Sequence, residues 1–129
     1  MRHTHDLRVY YEDTDLAGIV YYANYLKYIE RARSEFVRDL GIDQTRLRQD
    51  DGIVFAVARI EADYKIPARF DDELRVQTSV IKVTSARLVL AQDVLRDGAV
   101  LFASIVTLAA LSNSGRPARL PAAIRAALG

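Results

Sequence analysis

One long amphipathic segment is followed almost entirely by β-type patterning, and this imbalance limits the folds open to the chain. Apolar side chains recur every three or four positions across residues 25–40, with polar ones such as Lys27 and Arg38 between them. The spacing predicts a helix of about four turns. Asn24 is predicted as its N-cap, and Gly41 as the left-handed residue that ends it. A chain with a single long helix must build its core between that helix and a sheet.

The remaining segments predict the strands of this sheet. A short strand at residues 7–11 alternates apolar and polar side chains and is predicted to end in an acidic loop. After the helix, a polar and short-helical stretch is expected at residues 43–51. The four strands predicted beyond it are residues 53–64, 74–83, 87–95 and 100–111, with a short Ala-rich helix at the C-terminus.

Three local signals refine the sheet. The apolar phase changes near Ala58 or Arg59, which predicts a β-bulge, and Asp97 followed by Gly98 predicts a hairpin. The run at residues 101–111 is apolar on both faces, which is typical of a central strand covered on both sides. The architecture predicted is α+β, with one helix on an antiparallel sheet. Because one helix covers only one face, the apolar second face predicts oligomerisation.

Length and composition fit a single domain spanning residues 1–129. The 18 basic and 17 acidic side chains leave a formal charge of +1, too little to favour nucleic acid as a partner. Cysteine is absent, which excludes disulfides, Cys-ligated metals and a thiolate nucleophile. No run approaches the roughly 18 apolar residues that span a bilayer, and the N-terminus lacks the apolar core of a signal peptide. We therefore expect a cytoplasmic protein without membrane insertion.

Candidate chemistry is concentrated in residues 9–25. This segment places the carboxylates of Asp13 and Asp15 before a glycine-containing loop that leads to the start of the helix. A helix N-terminus leaves N–H groups unpaired and carries partial positive charge, so it can polarise a carbonyl oxygen. A carboxylate nearby supplies a base or a nucleophile. The pair is what hydrolysis of an acyl group requires.

Several stretches of the chain match one family pattern. They are YYEDTD at residues 10–15, GIVY at 18–21, Tyr25, ERAR at 30–33 with Glu35, and YKIPARFDD at 64–72. Together they resemble the hot-dog thioesterases of the 4-hydroxybenzoyl-CoA thioesterase type, most closely the Tol-Pal-associated acyl-CoA thioesterase branch. The resemblance extends over nearly the whole chain.

This resemblance implies a hot-dog fold, in which a five- to six-stranded antiparallel sheet curls around the long central helix. It also implies homodimers, often paired into homotetramers, with active sites at the dimer interface, and an association with the Tol-Pal envelope system. The catalytic aspartate of the family maps onto Asp15, and the backbone N–H that polarises the thioester carbonyl maps onto Tyr22. Gly18 provides the loop geometry between them. Tyr22 replaces the histidine of many branch members, but the backbone role needs only the N–H.

Contacts with coenzyme A are also inferred from the resemblance. The Arg-Arg-Lys run that grips phosphate in the aroyl enzyme aligns with Thr-Ser-Ala at residues 84–86. The flanking Lys82 and Arg87 are the predicted substitutes. No metal and no cofactor are implied, because coenzyme A is part of the substrate.

Some of the polar residues have structural interpretations as well. His3 and His5 have the spacing of a metal-binding pair, but a frayed N-terminal tail explains them better. Glu30 and Glu35 match the helix position of the carboxylate in another hot-dog branch, although helix-surface pairing, such as Glu30 with Ser34, is more common. An Asp-x-Asp pair also opens haloacid-dehalogenase phosphatases, whose parallel doubly wound sheet this strand order does not supply.

The function implied is hydrolysis of an acyl-CoA thioester to a free carboxylic acid and coenzyme A. Asp15 either attacks the thioester carbonyl or activates a water that does, and the sequence leaves both routes open. Two alternatives remain: a thioesterase for acyl groups on acyl carrier protein, and a non-catalytic scaffold that binds acyl chains or envelope proteins. Hot-dog dehydratases are disfavoured because their catalytic histidine has no counterpart outside the N-terminal tail.

Overall fold

The computed structural model describes residues 2–129, which form five strands and three helices. A 3₁₀ turn at Tyr11–Asp13 follows the first strand, and a π-type turn at Leu47–Asp51 follows the second helix. The strands are β1 (Arg2–Arg8), β2 (Ile53–Tyr64), β3 (Glu73–Val83), β4 (Arg87–Arg96) and β5 (Ala99–Ser112), and the helices are α1 (Asn24–Asp39), α2 (Gln44–Arg46) and α3 (Ala122–Leu128).

All five strands pair antiparallel in one sheet of order β1-β3-β4-β5-β2, and α1 packs on one face of it. The apolar stripe of α1 supplies much of the core, because Tyr28, Ile29 and Phe36 are almost fully buried. Tyr25 stacks on Phe102 of β5, with ring centroids 5.0 Å apart. The predicted α+β architecture is confirmed.

The predicted local signals are present in the sheet. The register between β2 and β5 shifts between Val57 and Arg59, as the change of phase indicated. Asp97 and Gly98 both have positive φ, at 51° and 83°, which is the backbone of a type I′ hairpin. Gly41 follows α1 with φ of 82°, as predicted for the residue that ends this helix.

The N-terminal segment is ordered where a frayed tail was expected. β1 includes His3 and His5 and pairs with β3 from Arg2 to Arg8. His3 Nε2 lies 2.8 Å from Asp39 Oδ2 at the far end of α1, so it ties the strand to the helix. The tail prediction was wrong because the apolar alternation before residue 7 is too weak to reveal an edge strand, whose pairing comes from β3.

The predicted N-cap of α1 needs correction. Asn24 is the first helical residue and Ala23 occupies the N-cap position; the Asn24 side chain instead donates to the carbonyl oxygen of Asp13 at 2.9 Å. β5 lies inside the sheet, as predicted, and Ile105 on its second face stays 37% exposed in one chain, which leaves this face open to a partner. No helix within residues 2–129 is long and apolar enough to cross a membrane.

A buried polar network joins α1 to the sheet. Gln92 of β4 is fully buried, and its Nε2 donates to the carbonyl oxygen of Ile29 at 2.9 Å and to Thr78 Oγ1 at 3.0 Å. Its Oε1 accepts a hydrogen bond from Arg33 Nη1 at 2.9 Å. Gln92 thus uses both ends of its amide to fix the helix on the strands.

Candidate active site

The loop that carries Asp15 is a small hairpin in which Thr14 bridges Val20. The Asp15 N–H donates to the carbonyl oxygen of Ile19 at 2.9 Å, and the Gly18 N–H donates to the carbonyl oxygen of Asp15 at 3.0 Å. Gly18 has φ of 79°, a conformation that costs a residue with a Cβ roughly 1–2 kcal/mol. This glycine therefore lets the chain reverse directly after Asp15.

The Asp15 carboxylate is held at the surface of this hairpin. Its Oδ1 accepts a hydrogen bond from the Ala17 N–H at 2.9 Å, which closes an Asx turn. Oδ2 has no partner within residues 2–129, and the residue is exposed. The next side chain, Leu16, is fully exposed as well. One carboxylate oxygen is thus positioned and the other is open to a ligand.

The start of α1 is bonded directly to the acidic segment. The carbonyl oxygen of Asp13 accepts the Tyr21 N–H at 2.9 Å and Asn24 Nδ2 at 2.9 Å. Between these two anchors, the N–H of Tyr22 has no acceptor within residues 2–129. The structure therefore supplies an unpaired donor at the helix start, one hairpin away from Asp15.

A cleft of about 280 Å³ opens beside Tyr22. Aromatic and aliphatic side chains form most of its wall, as expected for a site that takes an apolar group. Asp15 is not part of this wall, and the connection between them runs through Ile19 and Val20 of the hairpin. The residues lining the cleft are Ile19, Val20, Tyr22, Tyr25, Tyr64, Lys65, Ile66 and Pro67.

Below the hairpin, Tyr28 of α1 contributes a buried hydroxyl that has no hydrogen-bond partner among residues 2–129. Burial, together with the nearby carboxylate of Asp13, raises the pKa of Tyr28 far above its usual range. The phenol therefore stays neutral and belongs to the support of the loop rather than to its acid–base chemistry.

The segment after β2 clamps the same hairpin from the other side. The Val20 N–H donates to the carbonyl oxygen of Ala68 at 2.8 Å, and the Ala68 N–H donates to the Tyr25 hydroxyl at 3.0 Å. Asp72 closes this segment: its Oδ2 accepts the Arg69 N–H at 2.8 Å and Arg96 Nη1 at 2.7 Å. Burial alone would raise the pKa of Asp72, but these two partners hold it below its ordinary value of 3.8.

We expect Asp72→Asn to reduce the acid sensitivity of the fold. A carboxyl whose pKa is lowered by folding stabilises the protein above its unfolded pKa, and this contribution disappears as the pH falls through the folded-state value. The thermal midpoint of the parent should therefore fall more steeply than that of the variant below about pH 4. Circular-dichroism melts between pH 7 and pH 3 measure the difference. Asp71→Asn is the control, because Asp71 pairs with Arg8 at the exposed surface. Equal pH dependence in parent and Asp72→Asn would contradict this account.

Lys82 and Arg87 lie at the opposite end of the sheet from Asp15. Lys82 is near the end of β3 and Arg87 begins β4, across the turn where the Thr84 N–H donates to the Arg87 carbonyl oxygen at 2.9 Å. The Asp15 hairpin instead contacts Arg69, before β3 begins. One chain does not bring these cations to the cleft, so their role with coenzyme A stays a prediction.

Glu30 and Glu35, the other candidate carboxylates, make structural contacts on the surface of α1. Glu30 Oε1 accepts a hydrogen bond from Ser34 at 3.0 Å, and Glu35 Oε1 pairs with Arg38 at 2.7 Å on the helix surface. No cluster of three or more His, Asp or Glu residues within 2–129 is placed to hold a metal ion.

A second groove, of about 590 Å³, runs along β1 and β3, away from the hairpin. Four of its charged side chains form two ion pairs: Arg75 Nε donates to Asp6 Oδ1 at 2.8 Å, and Arg8 Nη2 pairs with Glu73 Oε1.

Comparison with known proteins identifies the family of this chain. Residues 9–128 match the family model of the thioesterase-like superfamily. The chain belongs to this superfamily. Acyl-CoA thioesterase YbgC of Haemophilus influenzae is 37% identical over 122 residues, covering 94% of this chain and 90% of that protein. The recognition made from the sequence motifs is confirmed.

Solved structures of this superfamily share the fold. The crystal structure of a probable thioesterase from Bartonella henselae is 36% identical, with a TM-score of 0.90 over 94% of this chain and 100% of that chain. A 4-hydroxybenzoyl-CoA thioesterase variant, crystallised with 4-hydroxybenzoyl-CoA, has a TM-score of 0.93 over 99% of each chain. At 21% identity that likeness concerns the fold alone. The predicted hot-dog fold of one long helix wrapped by an antiparallel sheet is confirmed.

Sequence analysis did not single out Tyr64 or Asp72 individually, although both lie in the stretch at residues 64–72 that carried the resemblance. Tyr64 reaches the helix start with its hydroxyl, and Asp72 holds the loop that supports Val20. The sequence signal for both residues was membership of that second thioesterase motif, because Tyr22 is 42 positions from Tyr64 and Arg96 is 24 positions from Asp72.

Proposed function

We propose that this chain hydrolyses acyl-CoA thioesters to a free carboxylic acid and coenzyme A, using Asp15 and the backbone N–H of Tyr22. One observation carries the assignment of these residues: the acidic segment and the helix start are joined through the Asp13 carbonyl oxygen, which accepts hydrogen bonds from both Tyr21 and Asn24. The superfamily match and the curated acyl-CoA thioesterase relative support the reaction type.

In this proposal the substrate carbonyl oxygen accepts the Tyr22 N–H. With Asp15 as general base, a water loses a proton to the carboxylate while its oxygen bonds to the carbonyl carbon. The N–H stabilises the negative charge that builds on the former carbonyl oxygen. Collapse of this intermediate breaks the carbon–sulfur bond and releases the thiolate of coenzyme A, which takes the proton. With Asp15 as nucleophile, an anhydride forms as the thiolate leaves, and water then cleaves it.

We propose that a second copy of the chain completes the site. Asp15 and Leu16 are exposed, and Lys82 and Arg87 lie at the far end of the sheet in one chain. A homodimer, or a homotetramer made of two dimers, places the far end of one sheet beside the hairpin of its partner. Two expectations from the sequence stay predictions. They are the cytoplasmic location and the Tol-Pal association that the resemblance implies.

Thiol release tests the proposed reaction. The purified protein is assayed with a panel of straight-chain and aryl acyl-CoA esters and with the same acyl groups on acyl carrier protein, using a thiol-reactive dye. We expect release from at least one CoA ester. Release from the carrier protein alone would make it an acyl-carrier-protein thioesterase, and no release from either would leave an acyl-binding scaffold.

A further inference from the structure

Tyr64, the last residue of β2, makes a hydrogen bond that links the sheet to the start of α1. Its hydroxyl donates to the carbonyl oxygen of Tyr22 at 2.9 Å. Tyr22 is also the residue whose N–H is proposed to polarise the substrate. This bond therefore acts on the backbone next to the reacting atoms, from a residue 42 positions away in the chain.

The ring of Tyr64 is held in place by other aromatic residues. It meets Phe102 at a centroid distance of 5.0 Å, Tyr25 at 5.5 Å and Tyr22 at 6.2 Å, each with the rings steeply inclined. Phe102 is fully buried and Tyr25 is nearly so, so two of these contacts are fixed by the core. Edge-to-face packing of this kind restricts the ring, so the hydroxyl is delivered to one position.

The hydrogen bond to the Tyr22 carbonyl also affects the donor side of the same peptide. The Tyr22 carbonyl and the Ala23 N–H belong to one planar unit and point in opposite directions. A proton donated to the carbonyl oxygen polarises this unit and strengthens its N–H as a donor. Neither the Tyr22 N–H nor the Ala23 N–H has an acceptor within residues 2–129. Two adjacent donors are thus available at the helix start.

We propose that Tyr64 is a positioning residue for thioester hydrolysis: its hydroxyl fixes the Tyr22 carbonyl so that the N–H groups of Tyr22 and Ala23 together receive the developing negative charge. This inference rests on the proposed function, because it concerns the same reaction. Tyr64 does not touch the reacting carbonyl itself. It acts through the peptide unit that follows Tyr22.

Tyr64→Phe tests the proposal, because it removes the hydroxyl and keeps the ring that lines the cleft. The net value of one hydrogen bond predicts a fall in kcat of about 5- to 10-fold. KM should stay within about twofold, since the bond matters most when charge develops in the transition state. The thermal midpoint should move by no more than a few degrees, because the ring contacts remain. The amide proton of Ala23 should shift upfield in the NMR spectrum as its peptide loses polarisation.

Tyr11→Phe is the matched control, since it removes a hydroxyl from a ring that is 80% exposed and lies outside the cleft. An unchanged kcat in Tyr64→Phe would overturn the proposal, as would a raised KM alone, which would make Tyr64 only part of the cleft wall. A Tyr64→Phe protein that fails to fold would overturn it too, since the hydroxyl would then be structural. Failure of the proposed function can be told apart from failure of the Tyr64 proposal. In the first case the parent protein itself would release no thiol from any CoA ester.

Discussion

Asp15→Asn is expected to lower kcat on acyl-CoA by at least about 100-fold while leaving the fold intact. The neutral amide can neither accept a proton from water nor attack the thioester carbonyl. The loop should survive, because the Asn carbonyl oxygen can accept the Ala17 N–H as Asp15 Oδ1 does now at 2.9 Å. KM should change much less than kcat, since the carboxylate acts in the chemical step. Steady-state kinetics and a thermal melt measure both properties on the same preparation.

Glu12→Gln provides the control for this experiment. Glu12 lies in the turn at Tyr11–Asp13, is exposed, and has no hydrogen-bond partner within residues 2–129. The change removes one negative charge three positions before Asp15, so any general electrostatic effect on substrate binding should appear in both variants. We expect its kcat to stay within about twofold of the parent. A folded Asp15→Asn protein with near-parental kcat would rule out Asp15 as base or nucleophile.

The features predicted correctly from the sequence are those set by local patterning. Three such features each depend on residues within one element or one turn. They are the helical period of α1, the hairpin at Asp97 and Gly98, and the bulge in β2. Backbone sterics and the alternation of apolar side chains determine such features without reference to distant partners. The hydrogen bonds that join the Asp13 carbonyl oxygen to Tyr21 and Asn24 likewise connect residues that are close in the chain.

The features missed depend on contacts between distant segments. β1 forms because β3 offers it an edge, and Tyr64 reaches Tyr22 only after the sheet has curled around α1. Lys82 and Arg87 lie at the far end of the sheet in one chain, so their predicted contact with coenzyme A depends on a second copy and stays a prediction. A sequence pattern does not show which distant segments come close together in the fold. The polar contacts across the core were therefore not predicted.

Gln92 is the clearest example of a contact that the sequence did not predict. In the sequence pattern, a glutamine at the centre of β4 only interrupts an apolar strand. We expect Gln92→Leu to lower the free energy of unfolding by about 2–4 kcal/mol, although leucine is apolar and similar in size. The change removes the acceptor of Arg33 and the donor to both Thr78 and Ile29. Losing these partners leaves the half-buried guanidinium of Arg33 without its hydrogen-bond acceptor on the sheet. Urea unfolding at a fixed protein concentration measures the difference, because oligomerisation would shift the apparent stability.

The double variant Arg33→Leu with Gln92→Leu tests which effect lowers the free energy of unfolding. It separates the loss of the Gln92 hydrogen bonds from the cost of leaving the Arg33 charge without its partner. If the unpaired, half-buried guanidinium of Arg33 is the main cost, the double variant should be more stable than Gln92→Leu alone, because an apolar pair needs no hydrogen-bond partner in this position. Gln77→Leu is the matched control on the neighbouring strand β3: its side chain makes no hydrogen bond within residues 2–129, so the change should stay within about 0.5 kcal/mol. A Gln92→Leu protein as stable as this control would mean that α1 is held on the sheet by apolar packing alone.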